Sequence, residues 1–480
     1  MSTRIAIVGG GIAGLAAAYF LRDQPAVTVL ESSPRLGGKL AVSEVAGIGV
    51  DSGAEALLAR RPEGIALITE LGLADHLRQP GTTSARLWTR GHFRPLPRRQ
   101  FMGVPGDLDE LERSQIISPA GLARAAAEPP AAARAGDVSV ARYVGDRLGS
   151  EVVDRLVEPL LGGVYAGRPD RLSFDATLPV LAKAAGDHLS LIDSVRNITG
   201  ASSTRPEPGR PAPPVFTTLA AGLGTLPLAL AQASGATVRT KATVRALSKT
   251  ATGWRLTVGP TIAPEYLDVE AVVLALPARP ASRLIAQVSA GTAAALAEIE
   301  YASMAIITLA YPASAFPEPL AGSGYLVPAV DGRPVKAATF STVKWPHLAT
   351  DPDPNSGDLH IVRCSVGRIG EEAVLQRDDA ELVALAAADF AAATGVTGSP
   401  VDSRVTRWGG GLPQYTVGHL DRVAVIRSGI AGLGGLAVCG AAYDGIGIPA
   451  CIASARLAAD QVTAWIRENE SHGRTLRATP

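Results

Sequence analysis

The sequence predicts an α/β (α+β) protein: a Rossmann-like dinucleotide-binding domain, a discontinuous mixed-sheet substrate domain and a helical insertion. Three observations carry this reading. Arg4 to Val8 is an apolar strand running into Gly9-Gly10-Gly11-Ile12-Ala13-Gly14; a second strand, Val27 to Leu30, ends on Glu31; and a late strand, Leu436 to Cys439, enters a second glycine-rich turn, Gly440 to Pro449, ahead of an alanine-rich helix. A G-x-G-x-x-G run says little alone, but between a strand and a helix, with an acid at the next strand's tip, it is specific.

Each glycine has its own task. Gly9 permits the tight turn, Gly11 lets the backbone approach a pyrophosphate, and Gly14 lets the helix Ile12 to Leu21 lie close on the sheet. Ile12 and Ala13 open that helix, whose unpaired N–H groups favour phosphate. Glu31 falls about 20 residues on, where a carboxylate accepts ribose hydroxyls and repels a 2′-phosphate. That excludes NADP and leaves FAD or NAD. The segment Glu31-Ser32-Ser33-Pro34-Arg35-Leu36-Gly37-Gly38-Lys39 decides between them. Its glycine doublet brings a second backbone stretch to a phosphate, with Arg35 and Lys39 beside it, and an NAD fold has no need of this. Non-covalent FAD is therefore the expected cofactor, since Ala441-Ala442-Tyr443 offers no thiol. The late turn, with Gly440, Tyr443, Gly447, Ile448 and Pro449, is expected to present N–H groups to the flavin's pyrimidine edge. Gly53, Ala54, Glu55, Val244, Ala275 and Trp408 complete the expected cofactor contacts.

Composition narrows the class. At 480 residues two or three domains are expected, and 45 basic residues balance 45 acidic ones, so no global attraction to nucleic acid or anionic membrane is expected. Three cysteines, Cys364, Cys439 and Cys451, lack metal-ligand spacing and suggest a reducing compartment. No metal site is expected. Cys451, in the first turn of the last helix, could carry a lowered thiol pKa, but packing is the better reading. The first strand starts almost at Met1, leaving no room for a signal peptide, and no apolar run reaches the roughly 18 residues of a spanning helix. A cytoplasmic protein, at most touching a membrane, is expected.

Residues 1–77, 214–280 and 421–470 are expected to build the FAD domain, with Val238 to Leu247 as one strand and Trp254 to Val258 and Ala271 to Leu276 as others. Residues 78–106 and 281–420 form the substrate domain, and 107–195 reads as a helical insertion. A flexible proline-rich linker is expected at 196–213, and a frayed tail after about Glu468, disordered over 471–480.

Several further segments carry a resemblance. They are Asp51-Ser-Gly-Ala-Glu-Ala-Leu-Leu-Ala-Arg-Arg61, Pro159-Leu-Leu-Gly-Gly-Val-Tyr-Ala-Gly167, Thr339-Phe-Ser-Thr-Val-Lys-Trp-Pro-His347, Trp408 with Pro413-Gln-Tyr-Thr-Val-Gly-His419, and Tyr443-Asp-Gly-Ile-Gly-Ile-Pro449. The chain resembles the flavin amine oxidase superfamily and, within it, the bacterial protoporphyrinogen/coproporphyrinogen III oxidases of haem synthesis. Lys39, in place of a more usual arginine, and Val42, in place of Ser or Thr, depart from the superfamily pattern. The resemblance implies six-electron oxidation of a porphyrinogen in three hydride transfers to the flavin, with dioxygen reoxidising it to give hydrogen peroxide. The flavin carries that chemistry, so no catalytic side chain is assigned.

A porphyrinogen needs an apolar slot rimmed by cations for its propionates. Arg60 and Arg61 are the leading candidates, because guanidinium pairs bidentately with carboxylate. Arg98, Arg99 and Lys344 are weaker ones, and Tyr165, Tyr415, His419 and Trp408 are candidate pocket walls. The soluble bacterial branch implies coproporphyrinogen III, with protoporphyrinogen IX as the alternative. Another flavin amine oxidase or desaturase, or a non-catalytic porphyrin carrier, remains a different reading. A haem-pathway chelatase is the implied partner.

Overall fold

The computed structural model describes residues 3–129, 136–186, 190–202, 215–349 and 358–477. Arg4-Ile5-Ala6-Ile7-Val8 is apolar on both faces, the pattern of a parallel strand covered on both sides. It is the middle of a five-stranded parallel sheet ordered Thr237–Arg239, Ala26–Leu30, Arg4–Val8, Ala271–Leu274, Leu436–Val438. Ile5 and Ile7 pack against the helices Ile12–Phe20, Leu226–Ser234 and Ile448–Arg477. Ala6 and Val8 face the opposite core, shared with Trp254, Leu256, Leu284 and Ile426. Ala16, Ala17 and Ala18 are fully buried, their small side chains letting the first helix lie against both the sheet and the terminal helix.

Val238 to Leu247 is not one strand. Thr237–Arg239 joins the parallel sheet, whereas Val244–Lys249 starts a separate antiparallel sheet with Trp254–Val258 and Glu265–Val269. The break falls at Lys241, whose φ of 53° no strand accommodates; its N–H is taken by the Ser33 carbonyl, and that of Ala242 by the Glu31 carbonyl.

A seven-stranded mixed sheet forms the second layer system, ordered Asp402–Pro413, Tyr301–Pro312, Leu359–Val366, Val335–Phe340, Gly324–Leu326, Ala85–Thr89, His92–Pro95. The helix Asp379–Thr394, opened by a capping box between Asp378 and Glu381, buries Leu382, Ala386 and Phe390 against it. The helices between Leu108 and Ser202 enclose their own core around Leu111, Val144, Leu156, Phe174 and Leu181, with Asp107, Ser118, Ser139 and Ser173 as N-caps.

Two expected boundaries move. Leu191–Ser202 is one helix, so residues 196–202 are not linker; the rest of that proline-rich stretch lies outside the described residues. The terminal helix continues to Arg477, through the expected frayed tail, because no proline interrupts its hydrogen-bond ladder before that point. Residues 478–480 of the expected tail lie outside the described residues.

Candidate functional site

Three glycine-rich turns from opposite ends of the chain meet at the C-terminal edge of the parallel sheet. Gly9 has φ 112°, and a Cβ there would strike the Ala275 carbonyl; a Cβ on Gly14 would strike the Gly9 carbonyl. These two glycines serve the protein's own packing, with Ala275 lying against both. Gly11 differs. Its φ of −81° suits any residue, and a Cβ there would meet nothing within 4 Å. The protein does not require glycine at that point, whereas a ligand approaching the backbone would. Gly11 also begins the helix without a side-chain cap, so the first N–H groups, from Ile12, Ala13 and Gly14, lack an intrahelical acceptor.

The second doublet lies directly on this turn. Gly37 donates its N–H to the Gly10 carbonyl at 2.8 Å and bridges to Gly11, and a Cβ on Gly38 would sit 3.3 Å from the Gly11 Cα. Glu31 accepts the Gly10 N–H on one carboxylate oxygen and the Ser33 N–H on the other, both at 2.7 Å. An ionised carboxylate accepts about four hydrogen bonds, so lone pairs remain for ribose. Ser32 is exposed and its hydroxyl lies 3.4 Å from Glu31. Arg35 braces its own loop, donating to the Gly38 carbonyl at 2.7 Å and to that of Leu36 at 3.2 Å, with its guanidinium 5.9 Å from the Trp408 ring. Val244 packs in the core behind this loop.

The late turn closes the other side. A Cβ on Gly440 would lie 3.8 Å from the Ala13 Cβ, placing the turn beside the start of the first helix. Ile448 and Pro449 open the terminal helix, the Gly447 carbonyl accepting its Cys451 N–H at 3.0 Å. Tyr443 is buried. Lys39 reaches across from the doublet: its Nζ is 6.0 Å from the centre of the Tyr301 ring and within electrostatic range of the Cys451 thiol. Burial lowers the Lys39 pKa, the Cys451 thiol opposing.

Between the turns runs Asp51 to Glu55. The Trp408 indole donates to the Ser52 carbonyl at 3.0 Å, and Gly53 has no room for a Cβ above Lys39. Ala54 is exposed. Glu55 binds the Lys344 ammonium at 2.6 Å and the Arg363 guanidinium, which also donates to the Gly53 carbonyl at 2.5 Å. Against its own burial, these two cations hold the Glu55 carboxyl down at about 2. Asp51 accepts the Leu223 and Gly224 N–H groups at 2.9 and 3.0 Å. Burial pushes its carboxyl up to about 6 despite those bonds. Arg363 escaped the sequence reading; its signal is a lone charge inside the apolar strand Leu359–Val366.

The substrate candidates divide. Arg60 and Arg98 are exposed with no ion-pair partner among the described residues, Arg61 is paired to Glu63 at 2.7 Å, and Arg99 to Asp107 at 3.4 Å. Lys344 is not a free cation, because Glu55 takes it. Tyr415 and His419 are 2% and 0% exposed and belong to the support of the late turn rather than to an open pocket wall. Tyr165 is buried with its ring 5.7 Å from that of Tyr415, and burial pushes its phenol up to about 12.

All three cysteines are buried and free. Burial pushes the Cys451 thiol up to about 11, the Lys39 ammonium opposing, so the helix terminus does not activate it. Titration with a chromogenic disulfide at pH 8 is expected to detect no thiol in the native protein and three after denaturation. Rapid native labelling would contradict this burial.

The chain belongs to the flavin containing amine oxidoreductase family, which it matches over residues 12–463, and FAD is its cofactor. It is 38% identical to the coproporphyrinogen III oxidase of Mycobacterium leprae (strain TN) over 471 residues, 96% of this chain and 98% of that one. Identity to the coproporphyrinogen III oxidase of Bacillus subtilis (strain 168) is 28%, over 96% of this chain and 98% of that one. A solved structure from Exiguobacterium sp. 255-15, assigned by name to the protoporphyrinogen oxidases, superposes with a TM-score of 0.83 at 29% identity, covering 97% of this chain and 99% of that one. The cyclohexylamine oxidase of Brevibacterium oxydans IH-35A shares the fold, with a TM-score of 0.70 at 18% identity over 97% of this chain and all of that one.

Proposed function

We propose that this protein oxidises coproporphyrinogen III to coproporphyrin III in haem synthesis, using FAD and dioxygen and releasing hydrogen peroxide. The near full-length relatives of that name support the substrate. The observation that carries the flavin chemistry is the open approach to Gly11, faced by an uncapped helix start and flanked by the doublet and the late turn. The N–H groups of Ile12, Ala13 and Gly14 would hold the pyrophosphate, and Glu31 the ribose. The N–H groups of Gly447 and Ile448, at the helix entry that Pro449 fixes without an N–H of its own, would face the pyrimidine edge, with Gly53, Ala54 and Trp408 beside the ring. Bound FAD supplies the two-electron acceptor. The chain's own part is to exclude water, to orient the macrocycle and to neutralise its carboxylates.

Arg60 and Arg61 are proposed as the propionate ligands, Arg61 exchanging Glu63 for substrate. Arg61→Ala is expected to weaken coproporphyrinogen binding about tenfold, the value of one charge-assisted contact, with flavin reduction at saturation unchanged. Unaltered affinity would remove the assignment. No helix among the described residues is long and apolar enough to cross a membrane. A cytoplasmic site, with product passed to a chelatase, fits this reading.

The test is anaerobic mixing of the flavin-loaded protein with coproporphyrinogen III and, separately, protoporphyrinogen IX, following flavin absorbance and porphyrin fluorescence. Bleaching with matching porphyrin formation is expected, faster for coproporphyrinogen III. A flavin that stays oxidised with both, yet bleaches with an amine, would overturn the proposal.

A further inference from the structure

The Tyr415 hydroxyl has one proton to donate and uses it on the Ala441 carbonyl at 2.7 Å, while accepting the Gly445 N–H at 2.8 Å. It therefore bridges two backbone groups of the turn Gly440 to Pro449 from outside. Gly445 sits at φ 136°, where only glycine rests easily, and the turn's own bond, from the Tyr443 N–H to the Gly440 carbonyl, is long at 3.4 Å. The phenol ring is fixed from behind. His419 stacks on it at 3.9 Å with 14° between planes, and Tyr165 stands 5.7 Å away. Burial, helped by Arg422, pushes the His419 imidazole down to about 4 against the Tyr443 backbone and Asp137, so the stack is between neutral rings.

The segment carrying Tyr415 is bound along its length to the helical insertion. Gln414 donates its side-chain amide to the Tyr165 carbonyl at 2.8 Å, Ser173 donates its N–H to the Tyr415 carbonyl at 2.8 Å, and Leu172 bridges to Thr416. Val417 donates to the Arg171 carbonyl at 3.1 Å, and the Gly418 N–H is held by Asp137 at 2.8 Å. The strap Pro413 to His419 thus has the insertion on one side and the late turn on the other, which the Tyr415 hydroxyl reaches at Ala441 and Gly445.

We infer that Tyr415 is a positioning residue for the flavin-binding turn, and that the strap Pro413 to His419 ties that turn to the helical insertion. This rests on the FAD reading of the turn above. With the hydroxyl in place, the N–H groups from Gly445 onward keep one orientation, and orientation of donors toward developing charge is what raises a flavin's electron affinity. The ion pair of Arg427 with Asp444 at 2.6 Å steadies the turn's outer side but bonds neither Ala441 nor Gly445.

Tyr415→Phe keeps the ring and the stack and removes only the hydroxyl. In the full chain, FAD dissociation is expected to rise about tenfold, as for loss of two turn-fixing hydrogen bonds. At saturating FAD the flavin absorption bands shift and the midpoint potential becomes more negative. Hydrogen exchange at the Gly445 amide accelerates. His419→Ala, which removes the stack, reproduces part of the shift and serves if Tyr415→Phe fails to fold. A purely structural role would lower the melting temperature and leave spectrum and potential unmoved, which overturns the inference. Wild-type protein that takes up no FAD removes the flavin reading and this inference together; flavin-loaded wild type matched in affinity, spectrum and potential by Tyr415→Phe overturns this inference alone.

Discussion

Gly11→Val is expected to fold like wild type and to emerge colourless. The glycine's backbone angles are open to any residue and its missing Cβ leaves unoccupied space, so the variant costs the apoprotein about 1 kcal/mol or less, the scale of an altered N-cap. The same space is where a pyrophosphate would reach the uncapped helix start. An isopropyl group there holds the phosphates off the N–H groups, and FAD affinity should fall by about 100-fold or more, near 3 kcal/mol. Gly14→Ala is the control in the opposite sense: its Cβ collides with the Gly9 carbonyl, so the helix leaves the sheet and stability falls with or without FAD. Flavin content after purification, with melting curves of both apoproteins, separates the two. A yellow Gly11→Val protein with wild-type FAD affinity would mean that the phosphates lie elsewhere.

The first parallel strands and the glycine turns that follow them were legible in the sequence because their signals are local. A strand apolar on both faces, glycines at fixed offsets and an acid closing the next strand are local patterns, each demanded by backbone geometry rather than by distant partners. The second doublet was legible for the same reason. What escaped depends on partners far apart in the chain. Arg363 lies 308 residues from Glu55, and the sequence assigned Glu55 to the cofactor and Lys344 to the substrate without showing that they neutralise each other. Tyr415 and His419 were recognised as special, but an aromatic side chain reads alike whether it lines a pocket or braces a turn. The split at Lys241 was hidden because residues on both sides favour extended backbone, and only the bonds to Glu31 and Ser33 explain the turn between them.

Glu55→Gln should produce the largest loss of stability among substitutions at the site. Lys344 and Arg363, 16% and 7% exposed, would then face a neutral amide, and the amide nitrogen would oppose one of them. Leaving a buried charge without its partner costs about 3–5 kcal/mol, well beyond what an exposed ion pair contributes. The loss has a defined pH dependence. The folded-state carboxyl is held at about 2, below its ordinary 4.5, so its stabilisation is fully present above pH 4.5 and is lost as pH falls through 2. Asp51 runs the other way: burial raises its carboxyl from 3.8 to about 6, so its contribution is greatest below 3.8 and declines as pH rises through 6. Melting curves of wild type and Glu55→Gln should therefore diverge most above pH 5 and converge toward pH 2, with Asp51 shaping both. Adding Lys344→Met to Glu55→Gln removes one orphaned cation and should recover part of the loss. Equal melting temperatures for wild type and Glu55→Gln between pH 5 and 8 would show that the two cations find other partners, and the cluster would then not be what anchors the segment Asp51 to Glu55.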